Sequence, residues 1–93
     1  MGAKLIERTH RKIDDATFYE VVIWRLPRPV PGCTHYYKYR LALIRDDKCI
    51  LRYDNERGKG DHRHVGNREE AFEFTSLEAL SAAFRADIER MVR

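Results

Sequence analysis

His35-Tyr36-Tyr37-Lys38-Tyr39-Arg40-Leu41-Ala42-Leu43-Ile44, followed by a turn at Asp46-Asp47 and then by Lys48 to Tyr53, reads as two strands of one hairpin. The first half of the leading segment is aromatic and cationic and its second half aliphatic, so one end is wet and the other buried. A two-residue loop places Arg40 opposite Tyr53 and Tyr39 opposite Asp54, and it makes the sheet antiparallel at this point. Upstream, Thr17 to Leu26 alternates Phe18, Val22, Trp24 and Leu26 on one side with Tyr19, Val21 and Ile23 on the other. Apolar on both faces, it reads as an interior strand. Ala3 to Ile13 starts with Leu5 and Ile6 and then turns polar, as suits an edge strand whose charges discourage further pairing. Asp14-Asp15-Ala16 is the turn between them. Pro27, Pro29 and Pro31, which cannot supply ladder donors, mark Pro27 to Gly32 as a stiff connector.

Downstream, Ala71-Phe72-Glu73-Phe74 alternates like a last short strand. Thr75 and Glu78 have the spacing of a capping box, and Leu77, Leu80, Phe84, Ile88 and Met91 recur at helical spacing. The expectation is one α+β domain over residues 1–93, a curved antiparallel sheet of five to six strands with one C-terminal helix packed on one face. A chain this short supports a single modest core, with a stability of about 5–10 kcal/mol.

Composition narrows the classes further. Eighteen Lys and Arg against 15 Asp and Glu leave a net charge of +3, which permits nucleic-acid binding without requiring it. The longest apolar runs, such as Val21-Val22-Ile23-Trp24, are far shorter than a membrane span, and the N-terminus lacks a signal-peptide hydrophobic region. A cytoplasmic protein with no membrane partner is expected. Two cysteines make no disulfide framework; Cys49 reads as core and Cys33 as loop.

The most particular chemistry lies between Arg52 and Arg68, where apolar side chains nearly vanish between Tyr53 and Val65 and ionisable ones crowd together. Such a segment reads as a working surface, although a solvated hairpin loop built on Gly58 and Gly60 accounts for the same composition. On an extended segment His62 and His64 point to one side, with Cβ atoms roughly 6.5–7 Å apart, and Asp61 and Arg63 to the other. Imidazole ordinarily titrates near neutrality, so two of them suit metal-independent RNA cleavage: one as base for the 2′-OH, one as acid for the leaving 5′-oxygen. Lys59 and Arg57 supply cations for the charged phosphate, with Tyr53 and Asp54 beside them as further catalytic candidates. Tyr37, Tyr39, Lys38, Arg40, Arg63 and Asn55 are the candidate substrate-binding residues, the tyrosines as stacking surfaces and the cations as phosphate contacts. Sheet packing is the competing explanation for the tyrosines.

Metal chemistry is the other reading of the same residues. His-x-His with Asp54 or Asp61 offers nitrogen and oxygen ligands, and Cys33, His35, His62 and His64 form a loose zinc pattern. The expectation nevertheless carries no metal and no cofactor. Gly58-Lys59-Gly60 lacks the spacing and the following helix of a phosphate-binding P-loop, which sets nucleotide hydrolysis aside.

Ile23-Trp24-Arg25-Leu26-Pro27, Val30-Pro31-Gly32, Tyr37-Lys38-Tyr39-Arg40-Leu41 and above all Arg52-Tyr53-Asp54-Asn55-Glu56-Arg57-Gly58-Lys59-Gly60-Asp61-His62-Arg63-His64 resemble the TumE family of small prokaryotic toxins. The resemblance implies the toxin half of a type II toxin–antitoxin pair, neutralised by a cognate antitoxin with a helix-turn-helix domain. Ribonuclease action on RNA is what such toxins usually imply, while the residue roles above come from the residues themselves. A homodimer or a hetero-oligomer with the antitoxin fits this reading. The rival is a module that binds nucleic acid or protein without cleaving it.

Overall fold

The computed structural model describes residues 2–92. Its elements are β1 (Lys4–Asp14), β2 (Thr17–Arg25), β3 (Tyr37–Arg45), β4 (Lys48–Glu56), β5 (Gly60–Val65), β6 (Arg68–Ala71) and α1 (Leu77–Met91). The strands lie in chain order, β1 through β6, and each is antiparallel to the next. This is the expected α+β architecture, with the sheet at six strands. Tyr19, Val21 and Ile23 of β2, Tyr39, Leu41 and Leu43 of β3, and Leu51 and Tyr53 of β4 share the face that Leu80 and Phe84 of α1 cover. Alternation then sends Val22, Trp24, Lys38, Arg40, Arg52, Asp54, His62 and His64 to the opposite, open face.

The β3–β4 register differs from the expected one by a single residue. Arg45 pairs with Lys48 and Ile44 with Cys49, but Leu43 then pairs with Leu51, leaving Ile50 as a bulge; Arg40 therefore opposes Asp54, and Leu41 opposes Tyr53. Burial explains the slip. Without the bulge, Arg52 and Asp54 would fall on the helix-covered face and Leu51 and Tyr53 on the open one. One extra residue reverses this, and Ile50 itself packs against the core.

Three further expectations are corrected. The last strand is β6, Arg68–Ala71, so Phe72 and Phe74 lie beyond it. They remain half-buried against the core, and the Phe72 N–H donates to Asp61 O at 3.1 Å. The helix is capped by Ser76, whose hydroxyl accepts from the Ala79 N–H at 3.0 Å, rather than by Thr75. Cys49 is exposed, since the bulge beside it turns Ile50 and Leu51 inward instead, and Cys33 is half-buried in the connector.

The β3–β4 turn is held by two aspartates in left-handed conformation, with φ of 52° at Asp46 and 64° at Asp47. Two left-handed residues in succession match the right-handed twist of the strands, but a Cβ makes each costly. Asp47→Gly is expected to stabilise the protein by about 1 kcal/mol. A higher urea midpoint at unchanged slope checks it, and an unchanged or lower midpoint rules it out.

Candidate functional site

Register places the open-face chemistry in rows that cross the sheet. Val22, Arg40, Asp54 and His62 are successive cross-strand neighbours, and so are Glu20, Ala42, Arg52, His64 and Glu69. The β5–β6 turn at Gly66-Asn67, with Gly66 at φ of 57°, brings Glu69 opposite His64. The two imidazoles stand with ring centroids 6.2 Å apart. His62 Nδ1 lies 3.1 Å from Glu69 Oε2, while Nε2 is buried without a hydrogen-bond partner among the described residues. The Glu69 contact is one of charge rather than a hydrogen bond. His64 Nε2 sits 3.1 Å from Arg52 Nη2, 3.6 Å from Asp54 Oδ1 and 3.9 Å from Glu69 Oε2. Arg52 Nε stands 3.0 Å from Asp54 Oδ2 at an angle that makes the pair a charge contact rather than a hydrogen bond. The His62 and His64 side chains are 13% and 21% exposed, so they are set into the face rather than standing on it. Lys59, in the β4–β5 turn, reaches Glu69 at 3.6 Å, and Arg57 beside it is exposed.

The remaining candidates lie on the other side of the sheet. Tyr53, Arg63 and the helix residue Asp87 form one network: Tyr53 Oη donates to Asp87 Oδ2 at 2.5 Å, and Arg63 Nε donates to Asp87 at 2.9 Å and to Tyr53 Oη at 3.1 Å. Arg63 also contacts Glu70 at 3.2 Å, and Arg90 pairs with Asp87. Burial alone would raise the Asp87 carboxyl, but the hydrogen bonds from Arg63 and Tyr53 and the charges of Arg63 and Arg90 outweigh it and hold it below the usual carboxylate range. Burial, then the Asp87 hydrogen bond, pushes the Tyr53 phenol up to about 12. This network pins α1 to the sheet and faces away from the imidazoles.

Tyr39, Tyr37 and Asn55 belong to a second covered cluster, where the Pro27–Tyr36 connector folds onto the sheet. Asn55 is fully buried: its Oδ1 accepts from Tyr39 N–H at 3.0 Å, and its Nδ2 donates to Tyr37 O at 2.7 Å and to Cys33 Sγ at 3.6 Å. Lys38 Nζ reaches round to donate to Asn55 O. Gly58 N–H donates to Pro31 O at 2.6 Å, and a Cβ on Gly32 would press within 3.3 Å of Gly58 and Gly60 backbone, so glycine is needed at this approach. Tyr39, 1% exposed, donates its hydroxyl to Asp61 at 2.7 Å and offers no stacking surface. Burial first, then the Asp61 hydrogen bond, pushes its phenol up.

Metal-ligand atoms of Cys33, His35 and Asp61 lie within 4.8 Å of one another in this cluster, so the four-residue pattern drawn from Cys33, His35, His62 and His64 is divided by the sheet. His35 Nδ1 accepts from Tyr37 N–H at 3.1 Å, which puts the ring proton on Nε2, and Nε2 meets Asp61 at 2.8 Å. The trio is closed by its own hydrogen bonds, and a metal would have to displace that proton.

The sequence-derived candidates therefore split. His62, His64, Asp54, Lys38 and Arg40 share the open face, with Lys59 and Arg57 at its rim, whereas Tyr53, Tyr37, Tyr39, Asn55 and Arg63 lie beneath the helix or the connector.

A family model described as Toxin TumE matches residues 3–92. The chain belongs to the TumE toxin family. Searches of curated proteins and of solved structures return no match. Membership of a toxin family implies an antitoxin partner, and no helix among the described residues is long and apolar enough to cross a membrane. Two residues absent from the expected site, Glu69 and Arg52, hold the imidazoles of this TumE chain. Glu69 was legible through the Gly66-Asn67 turn, because a two-residue loop makes Val65 and Arg68 partners and so His64 and Glu69.

The Asp87 network gives the TumE fold a pH dependence with a definite sign. A carboxyl held below its unfolded value contributes stability that is present above that value and lost as pH falls through the folded one. Asp87→Asn should lower stability at pH 7 by about 2–4 kcal/mol, since Arg63 loses its buried partner. It should also flatten the fall in stability below about pH 4. Urea midpoints for both proteins between pH 7 and pH 3 check this, and parallel profiles would show that Asp87 does not carry it.

Proposed function

We propose that this toxin is a metal-independent ribonuclease whose acid–base pair is His62 and His64, inhibited by a helix-turn-helix antitoxin that covers the open face. The supporting observation is the pair itself, two imidazoles 6.2 Å apart on the face that the helix leaves free, each held by a charged partner. In the proposed step His62 takes the 2′-OH proton and the 2′-oxygen attacks phosphorus. The P–O5′ bond breaks as His64 gives a proton to the 5′-oxygen, leaving a 2′,3′-cyclic phosphate and a 5′-hydroxyl. Glu69 faces His62 Nδ1 as a charge contact at 3.1 Å. Arg52 Nη2, 3.1 Å from His64 Nε2, is the cation placed to be drawn to the phosphate. Tyr53 and Arg63 take no part, because they face the helix.

The division of roles is testable with a substrate that carries sulfur at the scissile 5′ position. A thiolate leaving group needs no acid, so His64→Asn should lose activity about 10²-fold or more on ordinary RNA and recover on the thio substrate, whereas His62→Asn should be slow on both. Recovery by neither variant would sink the assignment. Activity that vanishes with a chelator and returns with zinc or manganese would favour a metallonuclease instead.

A further inference from the structure

On the open face beside the imidazoles lies a hollow of about 300 Å³ lined by Val22, Trp24, Lys38, Tyr39, Arg40 and Asp54. Its floor follows from register: Trp24 pairs with Lys38, Val22 with Arg40, Arg40 with Asp54, and Asp54 with His62. The centre, over β3, is two strands from β5, about 10 Å. Trp24 is half-exposed there, and it is the one tryptophan of the chain. The two tyrosines expected to stack bases, Tyr37 and Tyr39, pack on the covered side, and Tyr36 stands beyond the strand with Arg25 over its ring.

Two polar features line the hollow. Asp54 Oδ1 is buried with no hydrogen-bond partner among the described residues and lies 3.6 Å from His64 Nε2, while Oδ2 contacts Arg52. A buried carboxylate oxygen without a donor is costly to keep and is satisfied by an incoming N–H. Among the described residues Arg40 is engaged by Glu20 alone, at 3.3 Å in an exposed pair, which is weak enough to yield to a phosphate.

We infer that this hollow is a nucleobase subsite: one base of a single-stranded RNA stacks on the Trp24 indole and presents an amino or imino N–H to Asp54 Oδ1, while Arg40 meets the adjoining phosphate. The inference rests on the ribonuclease reading for the identity of the ligand, and it makes Trp24 the residue that sets where the strand lies over His62 and His64. An indole face accepts any base, so selectivity falls on the N–H donor, and a base-free sugar-phosphate chain lacks both contacts.

Tryptophan fluorescence reads the subsite directly, without turnover. The probes are a 2′-O-methyl oligoribonucleotide, which cannot form the 2′-alkoxide needed for cleavage, and an abasic chain of the same length. The base-bearing oligomer should quench Trp24 saturably, the abasic one should bind about tenfold more weakly, and Trp24→Ala should lose about tenfold in affinity measured by anisotropy of a labelled oligomer. Trp24→Phe, which keeps a stacking ring and most of the volume, should retain most of it. Equal affinity for the two oligomers, or cleavage of unmodified RNA with no change in Trp24 emission on binding, overturns the subsite and leaves the His chemistry standing. Quenching by the base-bearing oligomer alone, with unmodified RNA left intact, supports the subsite and sinks the His chemistry.

Discussion

The pairing of β3 with β4 slips by one residue at Ile50, and every side chain from Leu51 to Val65 takes its face from that slip. A strand offers only two directions, so the bulge is a binary choice between burying Leu51 and Tyr53 or burying Arg52 and Asp54. Putting a leucine and the ring of a tyrosine in water, and two ions beneath a helix, would cost several kcal/mol on either scale. Burial of Leu51 and Tyr53 is thus what holds His62 and His64 outward, because β5 inherits its phase from β4 through Asp54–His62 and Arg52–His64. The chemistry of one face is fixed by the packing of the other.

Covering one face of such a polar segment still requires partners for whatever points inward. Asn55, Asp61 and Arg63 alternate with the open-face residues and must be buried or half-buried as a result. Each is matched to a donor or acceptor: Asn55 to the Tyr37 and Tyr39 backbone, Asp61 to Tyr39 and His35, Arg63 to Asp87 and Tyr53. In the low dielectric beneath the helix these matches are worth keeping and expensive to break. The rigidity of the imidazole face therefore derives from polar contacts behind it as well as from the aliphatic core.

Much of this was legible from the chain. The hairpins follow from Asp46-Asp47 and Gly66-Asn67, the edge strand from its charges, the helix from Leu77, Leu80, Phe84 and Ile88, and the shared side of His62 and His64 from the strand period alone. What escaped depends on contacts distant in sequence. Tyr53 to Asn55 look like the start of a solvated stretch because nothing local can bury an asparagine; the burial comes from a connector some 20 residues earlier. Tyr39 was read as a stacking surface from composition, yet a tyrosine whose hydroxyl has an acid within reach on a neighbouring strand can be buried whole. The bulge escaped for a related reason: one strand's pattern does not reveal that its partner needs an extra residue.

The open face also constrains how RNA could be held there. Arg52 stands against Asp54, Arg40 against Glu20 and Lys59 against Glu69, so the cations nearest the imidazoles are already paired. A phosphate entering this region gains each cation only by loosening a carboxylate, which reduces the net Coulomb gain well below that of a free basic patch. Counterion release, which depends on the number of phosphates neutralised, is correspondingly modest. A face of this kind cannot grip a polyanion by charge alone, and stacking on an aromatic ring is the interaction that does not compete with those pairs. An opposing protein surface would find both cations and anions to pair with on this face, where a polyanion offers only phosphates.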